Sequence, residues 1–455
     1  MPTLEINDFS CIQGARIELK PITLLIGPQA SGKSLISKLC FFFTDILNQQ
    51  FDAAESGLSL ERFRNQMLKR FEEWFPPAAW GRKDFSIIYK SGEEITYSVN
   101  RSKKKKRNDY EIDIQFSAFF ENQYNELLTQ HQKRRSKVVV EDDDLFSSNY
   151  DNLWRVRSSA MKGLSERLGS DFIQTQTFIP AGRSFFTNLG KAVAMLEYGK
   201  QLDEITRGFG RLFTALLDGQ NFWWSDKPDE KAKKFLTNQK ARFDHLFGGK
   251  VKIAENDRHV ATNDGRRISF SILSSGQQEL FPLLLILQHK ARLLATHGDK
   301  KSSEIIYVEE PEAHLFPAAQ GELVDYIAAL SSFLKGQCLF LITTHSPYVI
   351  SKFNNLIKAH IVSAIYSEEV AKKVSSIVPE ETWLPPATIG AYALSDGFLK
   401  SVNDRSGLID GEYLDGISED ISETFLSLLE VETEYDRRRM SHAQKQIKDK
   451  IGGEW

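Results

Sequence analysis

Three short segments near the start of the chain are apolar, or alternate between apolar and polar residues, over the length of a β-strand. They read LEINDF, ARIEL and ITLLI, with polar residues between them. A segment with apolar residues at helical spacing, SLISKLCFFFTDIL, follows the third. The pattern predicts three strands and a helix, with the glycine-containing segment GPQASGKS joining the last strand to the helix.

Strand-like and helical patterns recur along the rest of the chain. The later strand-like runs read DFSIIYK, ITYSVN, EIDIQF, VKIAE, RRISFSIL, IIYVEE and CLFLITT. Helical patterns dominate residues 117–169 and 189–247, and the tail from about residue 400 is acidic and helical in pattern. The chain is therefore predicted to contain both strands and helices, with no internal repeats.

Composition and charge limit the class of protein. Apolar residues make up 41% of the 455 residues, enough for a core, and the net charge is −3. A charge so close to zero gives no overall attraction to nucleic acid or to an anionic membrane. Cys11, Cys40 and Cys338 lack a metal-ligand spacing, so we expect reduced thiols in a cytoplasmic protein. The apolar runs are too short to span a bilayer, so we expect no membrane partner.

The segment GPQASGKS has the composition of a phosphate-binding loop. Its residues are Gly27, Pro28, Gln29, Ala30, Ser31, Gly32, Lys33 and Ser34. In such a loop the backbone N–H groups point into one concavity at the positive end of a helix, where phosphate binds. Lys33 would neutralise the β- and γ-phosphates of ATP, and the Ser34 hydroxyl would bind Mg²⁺. ATP and Mg²⁺ are therefore the predicted cofactors.

Two adjacent carboxylates end the apolar strand IIYVEE. Behind a phosphate-binding loop, Glu309 would complete the Mg²⁺ shell and Glu310 would polarise the attacking water. The two can have different roles, because alternate strand residues point to opposite faces. By itself the pair is equally consistent with a strand that ends in a charged loop.

Two further segments are candidates for contact with the γ-phosphate. The small residues of LSSGQQE, which are Ser274, Ser275, Gly276 and the following Gln277, could place N–H groups against phosphate at a helix start. Taken alone, the two serines are better explained as an ordinary N-cap pair. His345, in ITTHSPY, ends an apolar strand, where a structural histidine is the commoner case. Its contact with phosphate is favoured only because the other segments precede it.

The order of these segments carries a resemblance to a known family. GPQASGKS resembles Walker A, LSSGQQE the ABC signature, IIYVEE Walker B with a catalytic glutamate, PEAHLFP a D-loop and ITTHSPY an H-loop. The chain resembles the ABC-type ATPases of the SMC, RecF and OLD kind. Through EEPEAHLFP and TFIPAGRS it more closely resembles AAA-family ATPases of bacterial anti-phage systems, such as the PARIS ATPase subunit and the Septu or retron-associated ATPase. The match covers residues 3–44 and 251–350 well.

The resemblance implies an α/β fold. It would be an ABC-type P-loop ATPase head, a mixed sheet with helices, with a short helical-hairpin insertion and an additional helical region. Six segments follow from it: an N-terminal ATPase lobe with Walker A (1–116), a helical insertion (117–170), a Q-loop-like region (171–186), a helical-hairpin insertion (187–250), a C-terminal ATPase lobe with signature, Walker B and H-loop (251–400), and an acidic helical tail (401–455).

The resemblance also implies a head-to-tail dimer, or a higher oligomer, that encloses two nucleotides. One protomer would supply Lys33, Ser34, Glu309, Glu310 and His345, and its partner Ser275 and Gly276. The Q-loop glutamine would be Gln174 or Gln176. Arg183 would either reach phosphate or a partner, or lie on the surface after a glycine turn.

Two departures from the family pattern point to slow turnover. Glu309 stands where the family usually has aspartate, and its extra methylene changes the Mg²⁺ geometry. Ser275 stands where the signature usually has the first glycine of a pair, and its Cβ affects closure. A slow ATPase that acts as a switch fits both departures better than a fast motor.

The function implied by the resemblance is that of a sensor or scaffold in anti-phage defence. It would hold or release a separate toxic effector, a TOPRIM or HNH nuclease, in response to a phage-encoded trigger or DNA. No nuclease activity is expected in this chain. The alternative is a RecF- or SMC-like DNA-repair ATPase. The basic runs KKKKR (103–107) and KRRSK (133–137) are either solvated faces or local contacts to DNA.

Overall fold

A computed structural model describes residues 1–103, 110–138, 145–189, 202–217, 228–254, 257–297 and 303–411. The part up to Ile409 is one compact unit, and a second unit is Asp410–Trp455. The predicted acidic helix of the tail lies outside the described residues from 412 onwards, as do residues 104–107 of the first basic run. The second basic run lies in a helix, but its side chains from 134 onwards are outside the described part.

The described residues contain fourteen strands. They are β1 (Thr3–Phe9), β2 (Ile12–Glu18), β3 (Ile22–Ile26), β4 (Phe85–Ser91), β5 (Ile95–Lys103), β6 (Tyr110–Phe116), β7 (Ile173–Ile179), β8 (Gly249–Ala254), β9 (Asp257–Thr262), β10 (Arg267–Ser269), β11 (Ser303–Glu309), β12 (Cys338–Thr344), β13 (Ile389–Ser395) and β14 (Phe398–Ser401).

The same residues contain eleven α-helices, besides short 3₁₀ turns. They are α1 (Lys33–Glu55), α2 (Leu60–Trp74), α3 (Ala118–Val138), α4 (Leu145–Leu168), α5 (Ser184–Leu189), α6 (Glu204–Leu217), α7 (Glu230–Phe247), α8 (Ser275–His297), α9 (Pro317–Leu334), α10 (Pro347–Ile365) and α11 (Glu368–Ile377). Within the described ranges, no helix is long and apolar enough to cross a membrane.

Eleven strands form one sheet in the order β6-β5-β4-β1-β2-β14-β13-β3-β12-β11-β7. From β13 to β7 neighbouring strands are parallel. From β6 to β2 they are antiparallel. The remaining strands β8, β9 and β10 form a small antiparallel sheet. The predicted α/β fold with a mixed sheet and helices is therefore confirmed.

The two halves of the large sheet differ in burial in the way their sequences indicate. Every residue of β3 and β12 is buried, as is typical of parallel strands covered on both faces. In β4, buried residues alternate with more exposed ones along most of the strand, as in a strand buried on one face. The continuous apolar runs ITLLI and CLFLITT thus mark the centre of the parallel half.

An aromatic core fixes α1 against the antiparallel half of the sheet. Phe42 is fully buried, and its ring lies 5.5 Å from Phe71 and 6.0 Å from Phe75, centroid to centroid. Phe9 lies 4.8 Å from Phe85 in the same cluster. Each such side chain contributes about 1.5–3 kcal/mol through burial. Because α1 begins at Lys33, this core also fixes the helix end at the phosphate-binding loop.

The sequence pattern missed four strands and misjudged another. IGAYALS forms β13 and pairs with β3, yet its small residues gave no strand signal. β7, β9 and β14 were also missed. RRISFSIL was predicted as one strand, which is wrong. Only Arg267–Ser269 is a strand, and Phe270–Ile272 is a 3₁₀ turn, because the chain there turns into the start of α8.

Candidate nucleotide-binding site

The parallel strands bring the predicted motifs to one edge of the sheet. The phosphate-binding loop follows β3, His345 follows β12, Glu310 follows β11 and Pro180 follows β7. The paired residues at that edge are Ile26 with Thr344, Thr343 with Glu309, and Val308 with Ile179. The carboxyl edge of parallel strands is where open α/β sheets bind ligands.

Two glycines let the phosphate-binding loop pack tightly against its surroundings. A Cβ on Gly27 would lie 2.8 Å from the carbonyl oxygen of Leu394 in β13. A Cβ on Gly32 would lie 2.9 Å from the Cys11 Sγ, in the turn between β1 and β2. Both residues also have positive φ angles, 159° and 113° respectively. A side chain at either position would therefore displace the loop.

The first turn of α1 is open to an anion. Its N-cap is Gly32, which has no side chain to bond the first N–H groups, and the turn contains no acidic residue. By contrast, Ser59, Asp229 and Ser346 cap α2, α7 and α10 with side-chain oxygens. The first N–H groups of a helix have no intrahelical partner. In α1 they fit a phosphate group.

Lys33 lies between the phosphate-binding loop and the acidic loop after β11. Its Nζ donates to the carbonyl oxygens of Gly27 at 2.7 Å and Pro28 at 2.8 Å. Burial lowers the pKa of Lys33, and the nearby carboxylates of Glu310 and Glu312 oppose this effect. The next residue, Ser34, is exposed in the first turn of α1.

Glu309 has one carboxylate oxygen suited to a cation. The side chain is buried, and its Oε2 accepts from the Ala181 N–H at 3.4 Å. Its Oε1 is buried and has no hydrogen-bond partner in the described part of the chain. A buried charge is stable only when it is paired or binds a metal. Mg²⁺ on a nucleotide usually takes one or two protein ligands besides phosphate oxygens and water, so Glu309 and Ser34 fit this role.

Glu310 has an unusual backbone conformation that its neighbours hold in place. Its φ is 42°, in the left-handed region, which costs a residue other than glycine about 1–3 kcal/mol. Its N–H donates to Thr343, to the carbonyl oxygen at 3.0 Å and to Oγ1 at 3.2 Å. Its carbonyl oxygen accepts from the Arg183 Nη2 at 3.0 Å. The Glu310 carboxylate is partly exposed and so accessible to water.

Glu312, which sequence reasoning missed, holds the segment that carries His345. Its Oε1 accepts from the Thr344 hydroxyl at 2.6 Å and from the His345 N–H at 2.9 Å. The His345 ring is half exposed, with Nδ1 3.5 Å from Glu312 Oε1 and 3.8 Å from Glu310 Oε1. The only feature of the sequence that pointed to Glu312 was its place as a third acidic residue in EEPEAH.

The signature-like segment begins α8. Ser274 Oγ accepts from the Gln277 N–H at 3.3 Å, and Gln277 Oε1 accepts from the Ser274 N–H at 3.1 Å. This reciprocal pair is a capping box, so Ser274 does act as an N-cap. Ser275 is exposed. A Cβ on Gly276 would lie 2.8 Å from the carbonyl oxygen of His314 in the same chain. A larger residue there would therefore displace the loop after β11.

Neither candidate Q-loop glutamine lies at the edge. Gln176 pairs with Ile305, four residues before Glu309, which places it about 13 Å along the strand from that residue. Its Nε2 donates to the carbonyl oxygen of Phe41 at 3.1 Å, and the Gln174 Nε2 lies 3.8 Å from the Met161 Sδ. Two other residues of this segment bond Glu309: the Ala181 N–H donates to its carboxylate, and the Arg183 guanidinium donates to its carbonyl oxygen.

Arg183 does neither of the things predicted for it. It is fully buried, so it is not a surface residue, and its guanidinium bonds carbonyl oxygens of its own chain. Burial lowers the pKa of Arg183, opposed first by Glu279 and then by Glu312, Glu309 and Glu310. The spacing of residues in the sequence did not indicate that Arg183 would bond to these groups.

The profile of the family described as "AAA ATPase domain" matches residues 1–350. The chain therefore belongs to the AAA ATPase domain family. The family implies nucleotide binding, typically with Mg²⁺. No curated protein matches the chain.

Several solved structures are similar to the chain at low identity. The SMC head bound to the C-winged helix domain of ScpA is 14% identical, with 88% of this chain and 96% of that chain covered and a TM-score of 0.37. The SMC head domain from Thermotoga maritima is 15% identical, with 88% and 97% covered and a TM-score of 0.32. An ATP-binding cassette of an ABC transporter in its ADP conformation is 13% identical, with 94% and 99% covered and a TM-score of 0.29.

Replacing Lys33 tests the phosphate-binding loop. Lys33→Ala removes the ammonium group of the loop, and we expect it to abolish ATP binding in a titration with a fluorescent ATP analogue and Mg²⁺. Lys38→Ala, one turn further along α1, is the matched control and should bind like the parent. A Lys33→Ala variant that binds ATP as tightly as the parent would contradict the assignment.

Replacing Glu310 separates binding from hydrolysis. Glu310→Gln keeps the size of the side chain but cannot accept a proton from water, so ATP binding should persist while phosphate release falls at least about 100-fold. Phosphate release at saturating ATP measures this effect. Glu369→Gln, on the exposed face of α11, is the control. Unchanged hydrolysis in the Glu310 variant would assign the general base to another residue.

Proposed function

We propose that this chain is a slow Mg²⁺-dependent ATPase that acts as a switch in anti-phage defence, holding or releasing a separate nuclease effector of the TOPRIM or HNH kind. The observation that carries the ATPase part is the edge of the sheet where β3, β12 and β11 end. Glu309 is the last residue of β11, and Lys33, Glu310 and His345 come after the ends of these strands. The defence role rests on the resemblance of EEPEAHLFP and TFIPAGRS.

Each residue at the edge has a distinct task in this proposal. The first N–H groups of α1 and the Lys33 ammonium bind the β- and γ-phosphates. Ser34 and Glu309 hold Mg²⁺, which would neutralise charge on the phosphates when the nucleotide is bound. Glu310 accepts a proton from the attacking water. His345 contacts the γ-phosphate, and its backbone is fixed by Glu312.

Two features of the site support slow turnover. One oxygen of Glu309 accepts from the Ala181 N–H, so only the other remains for the metal, at the end of a side chain longer than aspartate. Ser275, exposed in the first turn of α8, adds a Cβ to the surface that would close on the nucleotide. A switch needs a long-lived bound state more than a high rate.

The position of α8 favours a site shared between two protomers. Its first turn touches the loop after β11, through Gly276 and His314. The phosphate-binding loop follows β3, which β12 separates from β11. Two strand spacings are about 10 Å, so the first turn of α8 lies well to one side of its own phosphate-binding loop. A second copy in head-to-tail orientation would bring Ser275 to that loop instead.

Exposed apolar side chains beside these motifs also favour a second copy of the chain. Ile272 precedes the signature segment and is 70% exposed, Phe316 follows the loop after β11 and is 78% exposed, and Tyr348 follows His345 and is 54% exposed. Their burial between two protomers would add to the stability of a dimer closed on ATP.

A heterodimer tests the shared site. A Lys33→Ala protomer keeps its signature segment, and a Ser275→Arg protomer keeps its phosphate-binding loop, so one of two sites in a mixed dimer stays intact. Ser275 is the better position because a substitution at Gly276 would also displace the loop in its own chain. Each variant alone should be inactive, and the heterodimer, isolated through two tags, should have about half the parent ATPase rate.

The control for the heterodimer replaces Ser275→Arg with Ser376→Arg, on the exposed face of α11. The Ser376→Arg protein alone should hydrolyse ATP at the parent rate. A heterodimer of Lys33→Ala and Ser275→Arg without ATPase activity would argue against a site built from two protomers.

The defence role is tested in the native host. Deleting the gene should raise the plating efficiency of phage and leave survival after DNA damage unchanged, and complementation with Lys33→Ala should fail to restore protection. The opposite result, sensitivity to DNA damage with unchanged plating, would favour the alternative, a DNA-repair ATPase.

The separate effector is tested with the pure protein. Cleavage of a phosphodiester usually needs clustered carboxylates that hold divalent ions, and Glu309 and Glu310 are already assigned to the nucleotide. The chain alone, with ATP and Mg²⁺ or Mn²⁺, should therefore leave plasmid and tRNA intact. Cleavage that is lost on mutating acids other than these two would place the effector in this chain.

A further inference from the structure

Arg183 connects three separate parts of the chain through backbone carbonyl groups. Its Nη1 donates to Pro180 at 3.0 Å and to Glu309 at 2.7 Å, and its Nη2 donates to Glu310 at 3.0 Å. Its Nε donates to the carbonyl oxygen of Glu279 at 3.2 Å. A planar guanidinium can make these bonds at once, whereas a lysine ammonium at the same place is a single point of charge.

Glu279, in the second turn of α8, completes the set. It is buried, and its Oε2 lies 3.5 Å from the Arg183 Nε. The same carboxylate accepts from two backbone N–H groups, that of Arg183 at 2.9 Å and that of Ser184 at 3.1 Å. The segment after β7 is therefore fixed to α8, and its arginine is fixed to the end of β11.

The backbone of Glu310 depends on this arrangement. Its left-handed conformation, with φ 42°, is held on one side by Thr343 and on the other by Arg183. A strained residue persists only when its surroundings fix it. Without the bond from Arg183, the backbone of Glu310 keeps only the anchor at its N–H, and its carboxylate is free to move.

We propose that Arg183 and Glu279 are positioning residues for hydrolysis, which hold the backbone of Glu309 and Glu310 so that the Glu310 carboxylate faces the attacking water. This inference rests on the proposed role of Glu310. Neither residue needs to touch ATP, because their contacts are with the backbone behind the carboxylate pair. A displacement of about 1 Å at a catalytic group can cost about 100-fold in rate.

The first test uses Arg183→Lys, which keeps the positive charge beside Glu279 but cannot reach the four carbonyl groups together. We expect kcat to fall at least about tenfold while the affinity for ATP and Mg²⁺ stays like that of the parent. Arg70→Lys is the matched control. Arg70 is also a largely buried arginine, paired with Asp45 and Glu204 away from the nucleotide edge, and its replacement should leave kcat unchanged.

A second variant covers the case in which Arg183→Lys does not fold. Arg183→Met with Glu279→Gln removes both buried charges together and so leaves neither uncompensated. It should show the same loss of kcat with ATP binding retained. Thermal unfolding monitors the fold of each variant. Parent-like kcat in either folded variant, or a loss of ATP affinity as large as the loss of kcat, would overturn the inference.

The heterodimer gives a readout that a general loss of stability would not reproduce. In the dimer of Lys33→Ala and Ser275→Arg, the intact site uses Glu310 of the Ser275→Arg protomer. Arg183→Lys should therefore lower the rate when placed in that protomer and leave it unchanged in the other. Equal effects in both positions would overturn the inference. Parent-like hydrolysis by Glu310→Gln would instead overturn the proposed role of Glu310, on which this inference rests.

Discussion

The parallel pairing of β3, β12 and β11 is the constraint on which the candidate site depends. The register places Ile26 beside Thr344 and Thr343 beside Glu309, so the residues that follow each strand emerge at one edge. Motifs that are hundreds of residues apart in the chain thereby become neighbours. Parallel strands need long crossover connections, and here those connections carry α1, α9 and the helices that make up most of the rest of the protein.

Negatively charged side chains outnumber positively charged ones at this edge of the sheet. The carboxylates of Glu279, Glu309, Glu310 and Glu312 all act on Arg183, and two of them also act on Lys33. Carboxylates therefore outnumber cations in a largely buried region, which is costly without a further cation. A nucleotide with bound Mg²⁺ fits this arrangement, since its phosphates satisfy Lys33 and its metal satisfies the unpartnered oxygen of Glu309.

The local part of the site could be predicted from the sequence. ITLLI, GPQASGKS and the helical pattern after them are contiguous, so strand, loop and helix all follow from short-range periodicity and from the positions of glycine. The apolar runs that end in Glu309 and Thr344 were predictable for the same reason. Short-range patterns indicate which faces of a segment are buried. They also contain the residue types that bind a phosphate group.

Only the tertiary structure decided which distant groups meet. The bond from Arg183 to the Glu309 carbonyl joins residues 126 positions apart, and that from Arg183 to Glu279 joins residues 96 apart. β13 was missed because only its pairing with β3 identifies it as a strand. That pairing places Leu394 against Gly27. The periodicity of apolar residues indicates which residues are buried, but it does not indicate which distant residues they contact. The sequence therefore determined the chemistry at the edge, and the folded chain determined what holds that chemistry in position.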